Sequence, residues 1–143
     1  MTETILKMQK KVKRYLDKDR YDHTIGVMHT AGCLAMRYGT DLEQALTAGL
    51  LHDCAKCVPA DEKIKICEKN HIEISDAEYK NPGLLHAKLG AFFAQKKYGI
   101  ENEEILRSIE SHTTGRPNMS LLDKIIYIAD YMEPGRDVAP NLP

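Results

Sequence analysis

The sequence predicts an all-α fold in a single domain, its helices packed around one centre. Three observations carry that prediction. Apolar residues recur three and four positions apart along most of the chain. Capping residues and glycine or proline stops punctuate those stretches. Neither a strand alternation nor a hairpin signal interrupts them. With 143 residues the chain can bury one core without disulfide or metal staples.

Positions 5–16 form the first amphipathic stretch. Ile5, Met8, Val12 and Leu16 share its apolar face, and Lys10, Lys11, Lys13 and Arg14 make the solvated one. Positions 20–38 form the second, stopped by Gly39. Thr40-x-x-Glu43 has the form of a capping box for a third helix carrying Leu42, Ala45, Leu46, Gly49 and Leu50, with Pro59 marking its end. Positions 61–70 read as a shorter charged helix. Positions 71–82 are the least regular, with a short helix after the Ser75-x-x-Glu78 cap. The next helix, 84–98, stops at Gly99, and 101–111 follows with an acidic first turn that suits the helix dipole. A turn at 113–117 leads to the last helix, 120–132, which Pro134 and Gly135 end. No linker argues for a second domain.

Composition narrows the function classes. Apolar residues make up 43% and charged residues 29%, ordinary for a soluble globular chain. No apolar run is long enough to span a bilayer, and Met1 to Lys13 is polar and lysine-rich, so a cytoplasmic protein is expected. A formal net charge of −1 gives no global field for nucleic acid; any anionic ligand must meet local positive charge. Cys54 and Cys57 form a lone C-x-x-C. It has no second pair to complete a zinc ribbon and no preceding strand, so the thiols are read as free.

The chemistry lies in six polar residues on inward stripes of five helices. His23 shares a face with Val27, Ala31 and Leu34. Asp53 follows Ala45 and Gly49 in steps of four, with His52 beside it. His86 shares a face with Leu89, Gly90 and Phe93, His112 follows Ile105 and Ile109, and Asp130 lies one turn after Ile126. A lone histidine on such a stripe is ordinarily a hydrogen-bonded core residue. Four imidazoles and two carboxylates buried together are costly without pairing or a metal. These donors suit divalent iron, manganese or zinc, and six exceed what one tetrahedral ion takes. They suit two ions sharing a bridging carboxylate. Water held between two dications ionises near neutral pH and the same ions bind phosphate oxygens, so a centre of this kind needs no side-chain nucleophile. His29 points to another side of its helix and His71 lies in the irregular segment; both are read as structural or surface residues.

The order His23, His52–Asp53, His86, His112, Asp130 resembles the HD-domain superfamily of metal-dependent phosphohydrolases, in its dinuclear branch. Three segments are more specific: AGLLHDCAK ending at Lys56, SHTTG starting at Ser111, and DKIIYIADYMEPGR ending at Arg136. Together they are similar to the YqeK-type symmetrical bis(5′-nucleosyl)-tetraphosphatases, over positions 20–136. The resemblance implies cleavage of diadenosine tetraphosphate at its central anhydride to two ADP, with iron as the metal. It also implies one ion on His23, His52, Asp53 and Asp130 and another on His86 and His112, with Asp53 bridging. Lys56 is the leading phosphate contact, followed by Arg20, Thr113 and Arg136. The expected partner is a nucleotide, with neither nucleic acid nor membrane, and a homodimer is the candidate assembly.

Other readings share this scaffold. HD-type nucleotidases, phosphodiesterases and diiron oxygenases use the same donors, and a metal-stabilised nucleotide sensor would need no turnover. Lys56 and the turn 113–115 favour a phosphate substrate. The resemblance leads one to expect a further helical segment after Arg136, and all six donors precede it.

Overall fold

Short polar side chains start six of the helices by accepting backbone N–H groups: Thr2, Asp17, Asp41, Ser75, Asn102 and Ser120. The computed structural model describes residues 2–135, so Arg136 lies outside the described residues. Among them are eight α-helices: α1 (Glu3–Tyr15), α2 (Lys18–Tyr38), α3 (Leu42–Leu51), α4 (Ala60–Lys69), α5 (Asp76–Lys80), α6 (Leu85–Tyr98), α7 (Glu103–Glu110) and α8 (Leu121–Met132). A 3-10 turn, Pro82–Leu84, precedes α6, and no strand occurs among the described residues. None of these helices is long and apolar enough to cross a membrane.

Two local expectations are corrected. The third helix is capped by Asp41, whose Oδ1 accepts from Gln44 N at 2.9 Å, and not by a Thr40–Glu43 box. Thr40 is already committed, because its N–H closes the end of α2 on the Ala35 carbonyl at 3.1 Å beside left-handed Gly39. The same helix ends at Leu51, well before Pro59. The His52 ring takes the Gly49 carbonyl at 2.6 Å, and 52–58 runs on through turns closed by bonds such as Cys54 N to Leu51 O. The Ser75–Glu78 box forms as expected, and Ser120 and Asp123 make a second one on α8.

Two apolar clusters result. The larger joins α1, α2, α3, α7 and α8 through residues such as Ile5, Val12, Met28, Leu50, Ile109 and Ile126. The smaller joins Cys54 and Ala55 to Cys67 of α4 and to Leu85, Leu89 and Phe93 of α6. Each large aliphatic chain so buried contributes about 1.5–3 kcal/mol. His52 and Asp53 fall in sequence between Leu51 of the first cluster and Cys54 of the second, at their junction.

The closest packing in the larger cluster positions the site. A Cβ on Gly49 would stand 2.9 Å from the Met28 Cα, and one on Gly32 would stand 2.9 Å from Leu46 Cδ2. These contacts run α2 and α3 antiparallel with their backbones nearly touching, which brings the start of α2, with His23, level with the end of α3. Met28 Cα is backbone and cannot yield. Gly49→Ala is therefore expected to cost about 1–3 kcal/mol, a fall of roughly 3–9 °C in Tm by calorimetry.

Candidate metal centre

Each of the four histidines has one ring nitrogen fixed by an acceptor and the other turned inward. His52, His86 and His112 donate Nδ1–H to the carbonyl three residues back, Gly49, Gly83 and Ile109, each at 2.6 Å. His23 on α2 has no such carbonyl to spare; its Nδ1 faces Glu133 Oε2 at 3.2 Å. This arrangement sets the tautomer and leaves four Nε2 lone pairs pointing into one space.

Asp53, 2% exposed, stands in that space with its oxygens divided. Oδ2 lies 3.3 Å from His52 Nε2 and 3.9 Å from His23 Nε2, and Oδ1 lies 3.4 Å from both His86 and His112 Nε2. Asp130 completes the first group, with Oδ1 2.8 Å from His23 Nε2 and 3.5 Å from His52 Nε2. The donors form two overlapping sets, His23–His52–Asp53–Asp130 and Asp53–His86–His112. Asp53 belongs to both.

These residues fit metal ions on chemical grounds. The buried His52 Nε2 has no hydrogen-bond partner of acceptable geometry among the described residues. His86 and His112 Nε2 face each other at 3.1 Å, and with both Nδ1 atoms donating elsewhere, two neutral rings would oppose lone pair to lone pair. Protonation of His112 does not readily relieve this, because burial holds its pKa below the ordinary value. A cation among the Nε2 atoms and Asp53 does. Nitrogen and carboxylate donors of this kind match first-row divalent ions.

Without metal, the first group carries a proton instead. Burial would depress the His52 pKa, but Asp53 and Asp130 beside it outweigh burial and push it up to about 10. Burial likewise opposes ionisation of Asp53, yet His52, with His112 and His86, holds its carboxyl well below the usual carboxylate range. Asp130 is held far below that range by His23 and His52 in spite of burial. The signs follow by linkage. His52 contributes stability that is complete below its unfolded pKa near 6.5 and is lost as pH rises through about 10; the two aspartates contribute stability that is lost in acid. At pH 7.5 metal binding must expel the His52 proton, so calorimetry in buffers of different ionisation enthalpy is expected to show release of about one proton. Buffer-independent heats would contradict this.

Glu133 is the residue that sequence reasoning missed. It is 7% exposed, Gly135 N–H binds its Oε1 at 2.6 Å, and a Cβ on Gly26 would stand 2.2 Å from that same oxygen. Gly26, one turn after His23, leaves the room it needs. Glu133→Ala is expected to weaken metal affinity about 10–100-fold, read by competition with a chromophoric chelator.

A cavity of about 270 Å³ opens over Asp53, His86, His112 and Asp130, lined also by Arg20, Lys56, Thr113, Tyr127 and Tyr131. Arg20 Nη1 pairs with Asp53 Oδ2 at 3.1 Å. Of the residues expected to meet substrate, Arg20, Lys56 and Thr113 are thus brought to this mouth, and Arg136 lies outside the described residues. His29 and His71 are exposed and away from it, and all four thiols are free.

The sequence pattern of the HD domain matches residues 20–135. Over 87% of this chain, the "Bis(5'-nucleosyl)-tetraphosphatase, symmetrical" of Halalkalibacterium halodurans is 46% identical and that of Bacillus subtilis 45% identical. The match covers 66% and 67% of those proteins, so the chain spans about two thirds of their length. A crystal structure from Clostridium acetobutylicum, described as a predicted HD superfamily hydrolase involved in NAD metabolism, superposes with a TM-score of 0.89. It is 49% identical, and the match covers 94% of this chain and 71% of that one. With its His–Asp pair at the junction of two donor sets, the chain belongs to the HD-domain family, in the group whose curated members are named symmetrical bis(5′-nucleosyl)-tetraphosphatases.

Proposed function

We propose that the chain hydrolyses diadenosine tetraphosphate at its central phosphoanhydride, giving two ADP, with two divalent ions held by His23, His52, Asp53, His86, His112 and Asp130. The observation that carries this reading is the division of Asp53, one oxygen toward each pair of imidazoles at the floor of an open cavity. The names of the relatives supply the substrate. Iron is the native ion of this reading, with manganese or zinc as substitutes, and the protein works in the cytoplasm on a free nucleotide.

When bound, the ions supply an ionised water at neutral pH and offset charge on the phosphoryl oxygens. The chain's own residues do the rest. Two carboxylates balance only half the charge of two dications, so the floor stays positive toward a polyphosphate. Lys56 and Arg20 extend that charge to the mouth, where either can make a charge-assisted bond to a phosphate oxygen. The Thr113 hydroxyl donates to a further phosphate oxygen. The four fixed Nδ1–H bonds keep every imidazole in place as charge builds, so little reorganisation is needed in the transition state.

Chromatography of the products of manganese-loaded protein tests the proposal. ADP alone is expected, in twice the amount of substrate consumed, and turnover is expected to persist without dioxygen. ATP with AMP, or no turnover of this substrate, would overturn it.

A further inference from the structure

The cavity over the metal centre is too small for the whole of the proposed substrate. At about 270 Å³ it falls below the range of roughly 300–1,000 Å³ that encloses a single drug-sized ligand, and a dinucleoside tetraphosphate is larger than that. In the proposed function the phosphates take the floor, among the imidazoles and Asp53. The nucleosides must therefore rest at the rim.

One wall of that rim is aromatic. Tyr127 and Tyr131 stand four residues apart on α8, on the same face, one turn before and one residue after Asp130. Both line the cavity, yet they are 41% and 54% exposed, and neither hydroxyl makes a hydrogen bond among the described residues. Among the described residues, and apart from the imidazoles, they are the only aromatic side chains lining it. The core does not account for them, since α8 packs inward through Leu122, Ile125, Ile126 and Ala129. Flat apolar rings held half in water beside a phosphate-binding floor have the form of a stacking platform.

We infer that Tyr127 and Tyr131 form the nucleobase subsite, the ring of one or both stacking on a base of the nucleotide whose phosphates reach the metal centre. The inference rests on the proposed function for its ligand class. A subsite of this kind adds ground-state binding and leaves the chemical step unchanged.

Direct binding separates the two ideas, because it does not depend on turnover. Calorimetric titration of the manganese-loaded protein would use ADP and, as a probe with no base, inorganic tripolyphosphate. In Tyr127→Ala, Tyr131→Ala or the double variant, ADP affinity is expected to fall about ten-fold or more, tripolyphosphate affinity to hold, and the corresponding Phe variants to bind ADP normally. In turnover, KM for diadenosine tetraphosphate should rise with kcat little changed. Both rings are exposed, so melting temperatures of the variants should match that of the parent. Unchanged ADP affinity in the double Ala variant, or equal loss for tripolyphosphate, would overturn the subsite. A parent protein that binds ADP through these rings but forms no ADP from the dinucleotide would overturn the proposed function and leave the subsite standing.

Discussion

Asp53→Asn is expected to abolish the paired centre and lower turnover by about three orders of magnitude or more. The substitution keeps the shape of the side chain and removes its charge. Asparagine offers one weak oxygen donor where the carboxylate offers two, and Oδ1 and Oδ2 of Asp53 each face a different pair of imidazoles. Neither donor set is complete without it. Metal content should fall with activity, and the loss should not be rescued by excess manganese. A variant that kept both ions and ordinary turnover would show that Asp53 does not bridge.

His86→Ala and His112→Ala should separate the two ions. Each removes a donor from the smaller set, which among the described residues has only Asp53 besides the two imidazoles, and leaves His23, His52, Asp53 and Asp130 intact. One ion is expected to remain, while turnover falls by roughly two to four orders of magnitude, because one ion is left to do the work that two would share between the attacking water and the phosphoryl oxygens. Removing either imidazole also ends the 3.1 Å opposition of their Nε2 atoms. Near-normal turnover in either variant would rule out the two-ion account.

Much of this site was legible in the sequence, and the reasons are local. Apolar spacing placed His23, His86 and Asp130 on inward stripes because those residues do lie within helices α2, α6 and α8. His52, Asp53 and His112 lie just past their helix ends, yet the helical count still aimed them inward, since His52 keeps a helical backbone. What the count missed was where α3 stops. A buried imidazole competes for the carbonyl three residues back, and that competition is a property of the side chain's surroundings, which spacing does not encode. Thr40 was read as the cap of α3, and Asp41 takes that place because the end of α2 consumes the Thr40 N–H. Glu133 was hidden for another reason: its partner His23 is 110 positions away, and only the packing of α2 against α8 makes them neighbours. The substrate was read from family motifs and not from periodicity; the donors alone serve several chemistries.

The central claim is a pair of ions joined by Asp53, and metal stoichiometry tests it most directly. Protein purified without oxygen, loaded with divalent ion, desalted and analysed by mass spectrometry for metal per chain should hold about two equivalents, with about one in His86→Ala. One equivalent or none in the parent protein, at full activity, would contradict the account.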